Sequence, residues 1–218
     1  MPQFTFKAIR FPGNAIHVTD FLDSEDFTGP IRKVFDGAMA FVQRNLRKVQ
    51  AGRGVNAPGV PEIPRVVFEE LLVNALVHRD YMVSAPIRLL IFDNRIEIIS
   101  PGHLPNNLTV EKIRAGNSNI RNPILVSHVA KGILPYRGFA SGILRALEAW
   151  PRIEFADDHE GCLFKATILR PSPPETPPSS GEKVGEVTPE RKSRLESRLE
   201  SPARPAAGNS CSKSSFLM

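Results

Sequence analysis

Three polar side chains with chemical potential are spaced four residues apart in one predicted helix. Glu70, Asn74 and His78 therefore lie on the same helical face. A carboxylate can activate a water molecule, and an amide oxygen can complete a Mg²⁺ shell otherwise filled by phosphates and water. The alternative is a solvated face on which the Asn and the His are incidental, and this segment alone leaves both interpretations open. Beside the stripe runs an apolar face that would be buried, formed by Val67, Leu71, Leu72, Ala75 and Leu76.

Two glycine-containing segments follow this helix. Residues 98–105 place Gly102 where a predicted strand enters a loop, while Gly138 and Gly142 come just before a predicted helix. Glycines in such positions leave backbone N–H groups free to face phosphates at a helix N-terminus. Each segment is a weak signal alone, because glycines at the ends of elements are more often simple turns.

Several nucleotide-using classes are excluded by missing motifs. The tripeptide His78-Arg79-Asp80 resembles part of a kinase catalytic loop, but the required Asn five residues after Asp80 is replaced by Ala85. The sequence contains neither a Gly-rich kinase loop upstream nor a Walker A motif. A kinase and a P-loop ATPase or helicase motor are therefore excluded for this chain.

The elements that must position these residues form alternating blocks of strands and helices. Asn122 and Pro123 provide an N-cap and a first helical residue. Clustered strands and helices of this kind predict an α+β sandwich with one sheet face covered by helices. The predicted strands are 3–11, 15–19, 86–100 as a hairpin turning at Asp93-Asn94, and 152–156 with 162–169; the predicted helices are 31–48, 61–79, 110–115, 123–131 and 141–150, and residues 52–61 are a predicted loop.

Composition bounds the remaining possibilities. The chain has 218 residues, a net charge of +5 and two cysteines. Two cysteines make no disulfide framework, which favours a reducing, cytoplasmic location. No apolar run reaches the ~18 residues of a membrane span. Disulfide-rich secreted proteins, membrane proteins and fibrous chains are therefore excluded, and the small excess of positive charge decides little about nucleic acid.

The composition changes sharply after Arg170. Residues 171–218 include 8 Pro and 10 Ser and only one aromatic residue, so they cannot bury enough apolar surface to offset the entropy of ordering. We therefore expect three regions: an N-terminal segment of strands and a helix (1–55), a core (56–170) and a disordered tail (171–218).

Four motifs together resemble a known family. NALVHRDY, IEIISPGHLP, NIRNPIL and RGFASGILRALE occur in this order, as in the bacterial and archaeal RecG-like C-terminal, or divergent ATP-binding domain, proteins that are found in transcriptional regulators. Their core is similar to the GHKL (Bergerat) ATPase fold of gyrase, Hsp90, histidine kinases and MutL. The resemblance implies a two-layer α/β sandwich with helices on one face of a mixed sheet, and ATP with Mg²⁺ as cofactors.

The resemblance also implies roles for individual residues. Asn74 would be the metal ligand and Glu70 the catalytic base, while Gly102 would lie beside the adenine. Residues 104–122 would form a lid over the nucleotide, and residues 137–142 would meet the phosphates. The complete set of implied nucleotide contacts is Asn74, His78, Ser100, Gly102, Leu104, Arg121, Asn122, Arg137, Gly138, Ser141 and Gly142.

The sequence departs from the family pattern at two positions. Ser100 stands where many GHKL proteins have an Asp that accepts from the adenine amino group, and a hydroxyl is a weaker acceptor than a carboxylate. Ala140 stands where relatives usually have Gly, which removes one permissive backbone position. Both changes indicate weak ATP binding with slow or no hydrolysis.

Two alternative functions remain open at this point. The domain could be a degenerate, non-enzymatic module that dimerises or binds a partner. It could also bind DNA through the basic residues between Arg44 and Arg53, together with Arg114 and Arg121. Relatives commonly carry a DNA-binding domain before this region and a winged helix after it. DNA is therefore an expected partner of full-length relatives, and we expect this chain to be an isolated middle module, truncated at both ends.

Overall fold

The computed structural model describes residues 4–52, 54, 56–136 and 141–171, which lie in one unit, Met1–Pro173. The predicted disordered tail, from residue 172 onward, lies outside the described residues, as does the segment 137–140. In chain order the elements are β1 (Phe6–Arg10), β2 (Asp23–Phe27), α1 (Ile31–Asn45), β3 (Lys48–Val49), β4 (Val60–Pro61), α2 (Arg65–His78), β5 (Ile87–Ile91), β6 (Arg95–Pro101), α3 (Val110–Arg114), α4 (Pro123–Val129), α5 (Gly142–Ala149), β7 (Ile153–Asp158) and β8 (Leu163–Leu169).

Six strands form one mixed sheet in the order β2-β1-β5-β6-β8-β7. The pair β1–β5 is parallel, and the other neighbouring pairs in this sheet are antiparallel. Strands β1 and β2 therefore extend the same sheet that the later strands build. The arrangement confirms the predicted α+β class, a two-layer sandwich of helices on a mixed sheet.

The main core lies between the sheet and helices α1, α2 and α5. Helix α2 contacts α1, α5 and β6, and nine of its fourteen residues are buried. This position explains why the helix is apolar around most of its circumference. Phe41 of α1 and Phe68 of α2 are fully buried, and truncating such a side chain to Ala costs about 3–5 kcal/mol. The helix that carries the polar stripe is thus held rigidly.

A smaller apolar cluster covers the other face of the sheet. Leu90 points away from Leu89 and Ile91, as the pleat of a strand requires, and packs with Phe11 and Phe92. The rings of Phe11 and Phe92 are stacked with centroids 5.2 Å apart. This cluster is joined by Ile99 and by the partly buried Ile9, Val18 and Leu163.

The second predicted strand, residues 15–19, is wrong. The strand that pairs with β1 is Asp23–Phe27, and the intervening segment is irregular. Contacts with the β5–β6 turn explain the difference. The N–H of Gly13 donates to Asp93 Oδ2 over 2.9 Å, and the Oδ1 of Asn14 accepts from the N–H of Asn94 over 3.1 Å.

The predicted boundaries around residues 45–65 also require correction. Helix α1 ends at Asn45 because Lys48 and Val49 pair with Val60–Pro61 in a short two-stranded sheet. Part of the predicted loop 52–61 is therefore strand, and α2 begins at Arg65, four residues later than predicted. The predicted β5–β6 hairpin is present, with β6 running to Pro101. Among the described residues, no helix combines the length and apolar character that crossing a membrane requires.

Candidate functional site

A cleft opens between α2, the end of β6 and the beginning of α5. Its enclosed part measures about 110 Å³, and the space reaches about 1010 Å³ only when the open solvent at its mouth is included. The predicted site residues among those lining it are Glu70, Asn74, His78, Ser100, Gly102, Leu104, Ser141 and Gly142.

The polar stripe of α2 forms one wall of this cleft. Glu70 is buried, with 8% of its surface exposed, whereas Asn74 and His78 are half-buried. The side chain of Asn74 has no hydrogen-bond partner among the described residues. None of the described residues therefore competes with a ligand for this amide. The interpretation of the stripe as an exposed face with incidental polar residues does not agree with this placement.

Glu70 forms an ion pair with an arginine that the sequence analysis did not select. Arg145 donates from Nε to Glu70 Oε1 over 2.7 Å, and its Nη2 lies 2.6 Å from the same oxygen. The same guanidinium donates from Nη1 to the hydroxyl of Ser141 over 2.6 Å. Ser141 and Arg145 are four residues apart at the start of α5 and so share a face of this helix. This four-residue spacing from Ser141 is the feature of the sequence from which a role for Arg145 could have been predicted.

The first residue of α5 lies directly against the polar stripe. A Cβ atom built on Gly142 would be 2.6 Å from Glu70 Oε2 and 3.4 Å from Asn74 Nδ2. Such a contact could be relieved if Glu70 moved, but Arg145 holds that carboxylate in place. Gly142 is thus the residue that allows α2 and α5 to bring their polar groups together.

The opposite wall is formed where β6 ends. Ser100 is buried, and its hydroxyl donates to the backbone carbonyl of Ala75 over 3.2 Å. Because its single proton is used in this way, the hydroxyl can only accept hydrogen bonds from a ligand.

Gly102 has a structural reason to be glycine. Its φ is +99°, and a Cβ atom there would lie 2.6 Å from the Cβ of Asp80. An L-residue with a side chain would be both strained and crowded at this position. The close packing with Asp80 therefore requires Gly102, independently of any ligand in the cleft.

Two predicted nucleotide contacts, Arg121 and Asn122, support the walls and are not lining residues of the cleft. Arg121 donates to Asp80 Oδ2 over 2.6 Å and also to the carbonyl of His103. Asn122 occupies the predicted N-cap position of α4, yet its side chain donates to the last carbonyls of α2, those of Val77 and Arg79, over 2.8 and 2.9 Å. Both side chains thereby fasten the end of α2 to the following loop.

The segment predicted as a lid contributes apolar and amide groups to the cleft. Leu104 lines it and is anchored by its N–H, which donates to Asp157 Oδ1 over 2.8 Å. Helix α3 lies within this segment and is capped at its N-terminus by Thr109, whose hydroxyl accepts from the N–H of Lys112. The other lining residues of the segment are Pro105, Leu108, Ile113, Asn117, Ser118 and Asn119, and His103 lines the cleft just before it.

His78 ends the polar stripe in a desolvated position. Burial lowers the pKa of His78 below its usual value, and the positive charge of Arg121 lowers it further. The imidazole packs edge-on against the ring of Tyr136, with centroids 6.5 Å apart. His78 is therefore neutral at neutral pH.

Two other predicted contacts, Arg137 and Gly138, lie outside the described residues.

The aromatic pair Phe155 and Phe164 was also missed from the sequence. Their rings stack with centroids 5.9 Å apart and line the cleft. They belong to neighbouring strands β7 and β8, and the pairing register of the hairpin would have been needed to predict that they meet.

The basic residues proposed for DNA contact are largely occupied by acidic or carbonyl partners. Arg44 pairs with Asp23 and Glu25 at 2.7 and 2.6 Å, and their hydrogen bonds raise its pKa. Arg114 donates to the carbonyl of Ile153 over 2.7 Å. Arg47 pairs with Glu62 and Arg121 with Asp80. Lys48 is exposed, and Arg53 lies outside the described residues.

The fold and cleft define a two-layer α/β domain of the ATPase-like type. Residues 84–156 match the family model described as "Putative ATP-dependent DNA helicase recG C-terminal". This match confirms the resemblance inferred from the motifs. It includes Ser100, Gly102 and Gly142 but begins after helix α2, so Glu70 and Asn74 lie outside the matched segment.

One solved structure has a similar fold. It is the crystal structure of the DIP2311 protein from Corynebacterium diphtheriae, with a TM-score of 0.62 and 20% sequence identity over 80% of this chain. At that identity the likeness shows the fold alone. The alignment spans only 35% of the Corynebacterium chain, so the present chain corresponds to about a third of that protein. No curated protein matches this sequence.

Proposed function

We propose that the cleft binds ATP together with Mg²⁺ and hydrolyses it slowly or not at all. The observation that carries this proposal is the closeness of Asn74 to the N-terminus of α5, where a Cβ atom built on Gly142 would lie 3.4 Å from Asn74 Nδ2. A helix N-terminus attracts phosphate, and an amide oxygen is a suitable ligand for a phosphate-bound Mg²⁺. The match to an ATP-dependent family description supports the same ligand.

The proposed orientation of ATP follows from the two walls. The phosphates face the N-terminal turn of α5, and Asn74 completes the shell of the metal ion. The adenine lies toward β6, where the Ser100 hydroxyl accepts from its amino group. Ser100 would act as the acceptor in this hydrogen bond because its own proton is already donated to the carbonyl of Ala75.

Slow turnover is proposed because Glu70 is partly occupied. Its Oε1 accepts a hydrogen bond from Arg145, so Oε2 is the oxygen left for a nucleophilic water. A Cβ atom built on Gly142 would lie 2.6 Å from Oε2, so this oxygen is crowded. Movement of Arg145, for example toward a phosphate, would release the other oxygen.

The first experiment is calorimetry with ATP and Mg²⁺ on the wild type, Asn74→Ala and Asn56→Ala. Asn56 is an exposed loop residue outside the cleft and is the matched control. We expect Asn74→Ala to weaken binding at least ~10-fold, about 1.4 kcal/mol, while Asn56→Ala binds as the wild type does. Equal affinities for all three proteins would contradict the assigned role of Asn74.

The second experiment concerns turnover. If the wild type releases phosphate, Glu70→Gln should abolish the release and leave ATP binding largely intact, because the carboxylate acts on water and not on the base. A Glu70→Gln variant that retains the wild-type rate would exclude Glu70 as the catalytic base.

The wider context is proposed from the family resemblance. We infer that the domain serves a cytoplasmic transcriptional regulator, in which nucleotide binding would control DNA-binding regions of full-length relatives. A regulator of this kind should show a salt-sensitive mobility shift with DNA only when such regions are present.

A non-enzymatic module that dimerises or binds a partner is the second candidate. The observation favouring it is Ile124, which is 87% exposed and borders an apolar groove that also contains Phe4, Ile31 and Leu76. A dimer in light scattering, combined with the absence of a nucleotide-dependent thermal shift, would favour this candidate over ATP binding.

A further inference from the structure

We propose that His103, Asp157 and His159 form a binding site for a divalent transition-metal ion of the zinc class at the edge of the cleft. Each residue offers one ligand atom, and these three atoms lie within 4.8 Å of one another. The site is separate from the Mg²⁺ position assigned to Asn74, and it does not depend on ATP binding.

The loop and the hairpin that carry these residues are fastened to each other. The N–H of Gly102 donates to the carbonyl of Cys162 over 2.7 Å, and the N–H of Leu104 donates to Asp157 Oδ1 over 2.8 Å. His103 lies between these two anchored residues. The imidazoles of His103 and His159 consequently stack with centroids 4.5 Å apart and an interplanar angle of 29°. The backbone thus brings together residues that are more than 50 positions apart.

Backbone contacts also orient the ligand atoms. The Nδ1 of His103 lies 2.8 Å from the carbonyl oxygen of Leu104. Because a carbonyl oxygen only accepts, Nδ1 carries the proton and Nε2 keeps the lone pair that a metal needs. Asp157 uses Oδ1 for the Leu104 N–H, which leaves Oδ2 for an ion. Metal-binding imidazoles and carboxylates are typically held by such secondary hydrogen bonds.

The ligand atoms are near enough to share an ion after a small adjustment. His159 Nε2 and Asp157 Oδ2 are 2.9 Å apart, whereas two ligands of a tetrahedral ion bound at about 2.0–2.2 Å are roughly 3.4 Å apart, so the exposed His159 side chain would move slightly away from Asp157 to bind the ion. The hairpin turn that carries His159 also carries Asp158 and Glu160, so the local charge favours a cation. Without a metal, the same geometry would be a simple His159–Asp157 ion pair.

The donor set indicates which metals would bind. Two imidazoles and one carboxylate suit Zn²⁺ and its transition-metal neighbours, whereas Mg²⁺ and Ca²⁺ prefer oxygen ligands alone. Three protein ligands leave a fourth position open to water or to another ligand. His103 lines the cleft, and the side chain of His159 is 67% exposed. The bound ion would therefore remain accessible at the entrance to the cleft.

The test is calorimetric titration of the full chain with ZnCl₂, with MgCl₂ in a parallel titration. His159→Ala removes an exposed ligand with little risk to folding, and Asp157→Asn keeps an acceptor for Leu104. His17→Ala, at an exposed histidine in the irregular segment after β1, is the matched control. We expect one Zn²⁺ per wild-type chain, at least ~10-fold weaker binding in both site variants, unchanged binding in His17→Ala, and no competition by Mg²⁺.

A spectroscopic measurement uses Co²⁺ in place of Zn²⁺. The visible absorption of the bound Co²⁺ should be present in the wild type and His17→Ala and absent in His159→Ala. The proposal is overturned if the wild type binds no Zn²⁺, or if Zn²⁺ affinity and the Co²⁺ spectrum are the same in His159→Ala as in the wild type. Either result would leave only the His159–Asp157 ion pair. ATP is absent from both measurements, so the metal site can fail or succeed independently of the proposed function.

Discussion

Two glutamate–arginine pairs in this domain have the same chemistry and different surroundings. Glu62 and Arg170 have fully buried side chains that meet at 2.5 Å, and Arg47 also donates to Glu62 over 2.8 Å. Glu70 and Arg145 meet at 2.6 Å at the cleft, where side-chain exposure is 10% and 42%. The first pair joins the β3–β4 hairpin to the end of the domain, and the second lies where we propose that a ligand binds.

The difference between the pairs lies in their unused hydrogen-bonding capacity. Both oxygens of Glu62 are filled by Arg47 and Arg170, and Arg170 also donates to the carbonyl of Phe92. Such a closed network stabilises a structure and offers nothing to a ligand. At the cleft, Glu70 Oε2 is not part of the Arg145 contact, and the neighbouring Asn74 amide is unpartnered among the described residues. Binding capacity is therefore found where a polar network is left incomplete.

The largest expected effect is the loss of stability when the buried Glu62–Arg170 pair, called the closed pair below, is broken. Glu62→Ala leaves the charge of Arg170 buried and unpaired, which should lower the free energy of unfolding by about 3–5 kcal/mol. Glu70→Ala should cost roughly 1 kcal/mol, because the partly exposed Arg145 regains water. Urea unfolding followed by circular dichroism measures both variants. Similar losses would remove the distinction between the two pairs.

Acid should weaken the closed pair. Burial raises the pKa of Glu62, but hydrogen bonds from Arg170 and Arg47 outweigh this effect and leave the pKa below the ordinary value of 4.5. The stability from this depressed pKa is fully present above pH 4.5 and is lost as the pH falls through the folded-state pKa. Unfolding free energies of wild type and Glu62→Gln should therefore converge below pH 4.5. A difference that stays constant as the pH falls well below 4.5 would contradict this assignment.

A substitution at Gly142 tests the Glu70–Arg145 pair at the cleft, because a side chain there would crowd Glu70. Gly142→Ala places a methyl group 2.6 Å from Glu70 Oε2, so the two helices must separate or Glu70 must leave Arg145. We expect ATP affinity to fall about 10-fold, or 1.4 kcal/mol. Gly54→Ala is the control, because a Cβ atom at Gly54 has nothing within 4 Å. Calorimetry that finds the same affinity in both variants would show that the α2–α5 contact is not needed for binding.

The smallest effect on stability is expected at Arg145. Arg145→Gln should change the free energy of unfolding by no more than about 1 kcal/mol, since this arginine is 42% exposed. Its informative readout is ATP turnover. If Arg145 restrains Glu70, phosphate release should become faster in the variant while ATP affinity changes little. A fall in affinity without faster release would show instead that Arg145 contacts the nucleotide.

The sequence predicted the parts of this site that depend on local periodicity. Glu70, Asn74 and His78 were placed on one wall because helical spacing needs no tertiary information. The role of Arg145 could not be read in the same way, since its partner Glu70 lies 75 residues earlier. The metal-site residues likewise depend on a contact between Leu104 and Asp157, which are 53 residues apart.

The fold shows the same limit. The class and the β5–β6 hairpin follow from alternating apolar residues and a short turn. The strand predicted at 15–19 was wrong because that prediction could not include the contacts of Gly13 and Asn14 with the β5–β6 turn, 80 residues later. The position of Gly102 beside the adenine stays a prediction, and the structure adds the close packing with Asp80 as a separate reason for a glycine there.

The most direct test of the central claim is a crystal structure of the domain grown with Mg²⁺ and a non-hydrolysable ATP analogue. We predict the metal ion beside Asn74, the phosphates at Gly142 and the adenine next to Ser100. An empty cleft at saturating nucleotide, or a nucleotide bound elsewhere on the molecule, would contradict the account.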